Sequence, residues 1–124
     1  MRLPITITMK SRKLNEILEK IGNEVSGVIA SAVVTSEGVV RVGEISKNVD
    51  MGIVASTATA LLSVSRKISM QLLGKKPQAG VVKGEDGYIL VAPMGEDTFL
   101  AVMNKNVDPF RLLKELLDII SEYG

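Results

Sequence analysis

Apolar residues recur at helical spacing near the start of the chain: Leu14, Ile17, Leu18 and Ile21 fall at i, i+3, i+4 and i+7. Ser11 is the expected N-cap of this first helix and Gly22 its expected C-terminal cap. Residues 1–10 stand apart. Ile5 and Ile7 alternate with threonines, so this stretch is expected to be an N-terminal extension or a short strand, and Pro4 argues against a central strand. Two apolar runs follow, Gly27 to Thr35 and Val39 to Ile45, with Ser36-Glu37-Gly38 between them. This pattern predicts a β-hairpin in which Val40, Val42 and Ile45 oppose Arg41 and Glu44 across the strand.

A long helix is predicted from about Met51 to Leu73, capped by Asn48 or Asp50 and closed by Gly74. Three strands come next: Ala79 to Lys83, Tyr88 to Pro93 and Thr98 to Asn104. Gly84-Glu85-Asp86-Gly87 and Gly95-Glu96-Asp97 supply their turns. Asp108 as N-cap and Pro109 at the first helical position open a last helix ending near Tyr123. The order is α-β-β-α-β-β-β-α. Short links make the five strands mostly antiparallel with helices on the faces, an α+β domain occupying residues 11–124.

Composition narrows the chemistry. Of 124 residues 46% are apolar, yet only Tyr88, Phe99, Phe110 and Tyr123 are aromatic, so the expected core is aliphatic. Fifteen basic and fourteen acidic residues leave a net charge of +1, which does not grip a polyanion by charge alone, and no nucleic-acid partner is expected. Cysteine and histidine are both absent. Thiolate nucleophiles, disulfides, Ser-His-Asp triads and the usual zinc sites are therefore excluded, and no metal or cofactor is expected. The uncharged stretch Met51 to Ser65 is shorter than the about 20 apolar residues a membrane span needs. With no signal-peptide pattern at the N-terminus, the expectation is a soluble cytoplasmic domain without membrane insertion.

Motifs for catalysis fail one by one. Gly74-Lys75-Lys76 ends a predicted helix instead of opening one, and Ser69 and Lys76 stand where a P-loop needs Gly and Ser or Thr. Gly84-Glu85-Asp86-Gly87 matches a bare G-x-x-G, but its two acids would repel a phosphate, and a hairpin turn is the better reading. No serine has a lysine three residues later. Glu85-Asp86 and Glu96-Asp97 fall in predicted turns, where solvent keeps carboxylates ordinary. The basic pairs Arg12-Lys13, Arg66-Lys67 and Lys75-Lys76 read as solvated faces first and partner contacts second. No catalytic residue is assigned, and the chain is expected not to be an enzyme.

The long helix carries the positive signal. Met51, Val54, Ala58, Leu61, Ile68 and Leu72 form one stripe, and Ile53, Ala60 and Val64 widen the apolar arc to about 200°, where covering a core takes about 100°. One reading is deep burial inside a single subunit. The favoured reading is a second copy of the chain on the surplus face, with small residues from Ser56 to Ala60 allowing close approach. The short apolar strand before Gly84 offers an edge for pairing. The expected dimer interface comprises Ile53, Thr57, Ala60, Val64, Val81 and Val82.

From Lys13 to Ile120 the chain resembles the roadblock/LC7 family. The resemblance rests on Val25-Ser-Gly-Val-Ile-Ala-Ser-Ala-Val-Val-Thr-Ser-Glu-Gly38, the small-residue-rich helix after Asp50, Gly84-Glu-Asp-Gly-Tyr-Ile-Leu-Val91 and Thr98-Phe-Leu-Ala-Val102. It implies a five-stranded antiparallel sheet with the long second helix on one face and the terminal helices on the other. It also implies homodimers or heterodimers whose long helices pair antiparallel and whose edge strands join. Members are partners of Ras-like small GTPases, as GTPase-activating proteins or scaffolds, and others are dynein light chains. The expected function is thus a non-enzymatic dimer that binds a Ras-like GTPase and promotes its GTP hydrolysis. Ser56, Thr59, Ser63, Arg66 and Lys67, on the polar side of the long helix, are the candidate GTPase contacts, with Arg66 the candidate for a direct arginine finger. A merely solvated strip is the bland alternative. A structural dynein-light-chain-like adaptor and a profilin- or PAS-like small-molecule sensor are the alternative functions.

Overall fold

The computed structural model describes residues 5–45 and 49–123. Its elements are α1 (Ile5–Glu24), β1 (Val28–Val34), β2 (Val40–Ile45), α2 (Met51–Leu73), β3 (Gly80–Lys83), β4 (Gly87–Met94), β5 (Asp97–Asn104) and α3 (Pro109–Tyr123). The strands form one sheet in the order β2-β1-β5-β4-β3, with every neighbouring pair antiparallel.

The strands read as near-continuous apolar runs because both faces of the sheet are covered. Side chains alternate between faces along each strand. On β1, Ala32 and Val34 turn toward α2 while Val33 turns toward α1 and α3; on β5, Leu100 opposes Phe99, Ala101 and Met103 in the same way. The larger core lies under the terminal helices, where Leu14, Ile17, Leu18 and Ile21 of α1 and Leu112, Leu116 and Ile119 of α3 close over Phe99. The smaller core lies under α2 and is built from Val54, Ala55, Ala58 and Leu62 against Ala32, Val34, Val91 and Leu100. Alanines on both surfaces let the long helix sit close to the sheet.

Capping chemistry fixes the ends of α2 and α3 where the sequence placed them. The Asp50 carboxylate accepts from the backbone N–H of Gly52 at 2.8 Å and of Ile53 at 3.4 Å. Gly74 takes a left-handed φ of 68°, and its N–H donates to the Met70 carbonyl at 3.2 Å. Asn48, the other candidate cap, lies outside the described residues. Asp108 accepts from the Phe110 N–H at 2.9 Å and opens α3. Asp50→Ala should cost about 1 kcal/mol of stability, read as a lower denaturant midpoint with an unchanged slope.

Three local expectations are corrected. Helix α1 begins at Ile5, so residues 5–9 are helix, not strand, and Ser11 lies inside the helix. A docked helix extends at little cost per residue, whereas an Ile-Thr alternation becomes a strand only beside a partner strand. The helix also runs past Gly22 to Glu24, and the positive φ of 98° falls on Gly27. Second, Val40 and Val42 do not share a face. Val34 pairs with Val40 and Val33 with Val42, so Arg41 is the extra residue of a β-bulge. Val42 therefore packs with the α1–α3 core and Val40 with the α2 core. Third, Asp97 is only 6% exposed: it opens β5 and accepts from Arg41 Nε at 2.7 Å across the end of β1. The bulge aims Arg41 at this carboxylate, and Gly95, with φ of 63°, makes the turn before it.

Candidate functional site

Helix α2 buries one side and leaves the other in solvent. Ile53, Thr57, Ala60 and Val64 recur at four- and three-residue steps, which places them on one exposed flank. Ile53 is 61% and Val64 53% exposed, high values for large apolar side chains in a regular helix. The hydroxyls around them bond back to the helix. Thr57 Oγ1 donates to the Ile53 carbonyl at 2.7 Å, Ser56 Oγ to the same carbonyl at 3.1 Å, Thr59 Oγ1 to Ala55 at 3.2 Å and Ser65 Oγ to Leu61 at 2.8 Å. A hydroxyl already satisfied in this way turns its carbon side outward, so another surface can cover it without stranding a polar group.

The sheet continues this surface. Register aligns Ala32, Leu100, Val91 and Gly80 in one row across the sheet, and its first three members pack under α2. At Gly80 the helix comes so near that an added Cβ would overlap the Ser65 side chain. The next row on the same face runs Val102, Ile89, Val82; Ile89 and Val82 there are exposed. Strand β3 lies at the end of the strand order, so among the described residues its outer edge has no neighbouring strand. Val82 faces the α2 side and Val81, paired with Leu90, faces the α1–α3 side. The two valines thus share an edge but not a face.

The polar strip is assembled in part. Ser56, Ser63, Arg66 and Lys67 are exposed along α2, whereas Thr59 is half-buried, with its hydroxyl near Gly38 of the β1–β2 turn. Two residues of the apolar stripe read from the sequence are open to solvent: Ile68 is 52% and Leu72 79% exposed. The cause is length. A helix of 23 residues reaches about 35 Å, while β3 beneath its second half has only four residues, so the last turns overhang the sheet. Ala55, Leu62 and Ser69 are buried on α2 without having been placed in that stripe.

Among the described residues, no group of three or more His, Cys, Asp or Glu could hold a metal ion, and no helix is long and apolar enough to cross a membrane. The ion pair between Arg41 and Asp97 is a structural clamp, its acceptor buried and bonded.

The model of the Roadblock/LC7 domain matches residues 13–104. Among solved structures, Myxococcus xanthus MglB superposes with a TM-score of 0.76 at 11% identity, over 90% of this chain and 91% of that one. A Roadblock/LC7 domain from Streptomyces avermitilis gives 0.73 at 14% identity, over 84% and 88%. The gliding protein MglB of Thermus thermophilus gives 0.70 at 18% identity, over 90% of each. At these identities the likeness is one of fold. Comparison with curated protein sequences gave no match.

Proposed function

Because the chain belongs to the Roadblock/LC7 domain family, we propose that it is a non-enzymatic regulatory dimer that binds a Ras-like small GTPase and stimulates its GTP hydrolysis. In this reading residues 11–124 act as one cytoplasmic domain, and a second copy of the chain covers the exposed flank of α2. The observation that carries it is that flank: large apolar side chains and self-satisfied hydroxyls beside an open strand edge. A two-fold axis near Ala60 brings Thr57 of one helix opposite Val64 of the other, and Ile53 opposite Ile68. Like surfaces then meet in an isologous contact. Edge pairing through β3, with Val81 and Val82, extends it.

Pairing uses the apolar flank and leaves Ser56, Thr59, Ser63, Arg66 and Lys67 beside it on both helices, so one GTPase spans two subunits. The dimer acts by position. It holds the switch segments so that the GTPase's own residues meet the transferring phosphate, and the chemistry stays in the GTPase site. A direct contribution from the Arg66 guanidinium is the sharper form of the same idea.

The test uses a Ras-like GTPase from the same genomic neighbourhood, loaded with a non-hydrolysable GTP analogue. Ser56→Arg and Ser63→Arg, both at exposed positions, should keep the dimer and weaken capture by about tenfold or more. The chain alone with GTP and magnesium should release no phosphate above buffer. Undiminished capture by both variants overturns the contact strip, and turnover that follows the chain through repurification overturns its non-enzymatic status. Capture without faster hydrolysis turns the reading to a structural adaptor.

A further inference from the structure

We propose that a cleft at the C-terminal end of α2 is a docking site for an acidic amphipathic helix from a partner protein. The cleft adjoins the α2 flank at Ile68 and is separate from the polar strip. It has a volume of about 680 Å³ and lies between the last turns of α2, the α2–β3 connection and the first turns of α3. Leu72, Leu73 and Phe110 line it at 79%, 74% and 70% exposure, with Ile68 and Leu113 behind them. Three large apolar side chains so open to water, gathered on one concave surface, mark a contact site more than a surface accident.

The walls are held in place before any partner arrives. Ser69, buried on α2, donates to the Lys75 carbonyl at 2.6 Å and ties the connection back onto the helix. Gly74 ends the helix in its left-handed conformation, and the Asp108 cap holds the backbone of Phe110. Ordering costs that a mobile loop would add to binding are thereby reduced.

Charge identifies the occupant. Lys75 and Lys76 sit on the rim. From Met51 to Gly84 the sequence has five cations, Arg66, Lys67, Lys75, Lys76 and Lys83, and no acid. The lining of the cleft holds Lys75 and Lys76 and no acid. A partner segment must therefore bring apolar side chains for the cleft and carboxylates for its rim. Strand addition is not on offer there. β3 begins at Gly80 opposite Val91, and the continuation of β4 that β3 leaves unpaired contains Pro93, which has no N–H to donate. A helix laid in the groove with apolar residues at i, i+3, i+4 and i+7 fits both requirements. An anionic membrane shares the charge preference but favours a protruding apolar face over a concave one.

The test is selection from a phage-displayed library of random peptides on the immobilised chain, followed by affinity measurement on synthetic copies of the winners. Enriched peptides should be net acidic, with apolar residues at helical spacing. Leu72→Ser/Phe110→Ser should weaken them by about tenfold or more, and Lys75→Glu/Lys76→Glu should do the same in low salt. All four positions are exposed, so both variants should keep the wild-type circular dichroism. Ala60→Arg, aimed at subunit pairing, should leave peptide binding unchanged, which separates this site from the dimer. Absence of enrichment, enrichment of basic peptides, or equal binding by the groove variants overturns the proposal. So does co-flotation with phosphatidylglycerol vesicles that the same variants abolish while peptide binding is absent, an outcome that assigns the cleft to lipid.

Discussion

Ala60→Arg should convert a dimer into a monomer. Ala60 sits in the middle of the exposed α2 flank, between Thr57 and Val64. In a two-fold helix pair each guanidinium would be pressed against its symmetry mate with no acid nearby, since α2 carries none. An unpaired charge buried in an interface costs about 3–5 kcal/mol, which weakens association by about a hundredfold or more. The subunit itself should be indifferent, because Ala60 is exposed on the isolated chain. Sedimentation velocity at micromolar concentration should show the wild type at twice the subunit mass and the variant at one, with matching circular dichroism. A wild-type monomer would falsify the subunit pairing on which the functional proposal rests.

Phe99→Ala should have the largest effect on folding. Phe99 is the largest fully buried side chain, on β5 at the point where α1 and α3 meet the sheet. Truncation removes its transfer free energy and leaves a cavity that the packed helices and strands around it cannot collapse to fill. Such changes cost about 3–5 kcal/mol, out of a total that is commonly about 5–15 kcal/mol for a domain. The urea midpoint should drop accordingly. A loss below about 1 kcal/mol would show that the α1–α3 layer contributes little to global stability. The surface pair between Lys20 and Glu122, which also links α1 to α3 at 2.9 Å, should matter far less because both side chains are solvated.

What the sequence revealed was local or periodic. Asp50 and Gly74 bracket α2, Asp108 opens α3, and the hairpin turns sit where glycines and acids cluster, because each depends on a few adjacent residues. The exposed flank at Ile53, Thr57, Ala60 and Val64 was also legible, since a helix wheel separates it from the buried side. The misses depended on distant partners. Nothing near Arg41 announces a bulge, because an extra residue is defined only against β1, and Asp97 looks like a turn acid until Arg41 reaches it. Periodicity likewise put Ile68 and Leu72 in one stripe with Val54 and Ala58, of which only the latter two are buried, for a wheel does not know where the sheet lies beneath the helix. The cleft with Phe110 joins residues far apart along the chain and has no sequence signature at all.

An open sheet has two ends at which further sheets could attach, and if both accepted strands the chain would grow into a fibre. The bulge at Arg41 makes the two ends unequal. Along β2 the outward N–H and C=O groups lose their regular spacing at Arg41, and its side chain is pinned inward to Asp97, so this border makes a poor template. The pairing of β3 with β4 carries no such shift in register. A sheet with a single usable border can add one neighbour through that border and then has none left to offer. On the proposed pairing through β3, this difference between the two borders favours a closed pair over a growing chain.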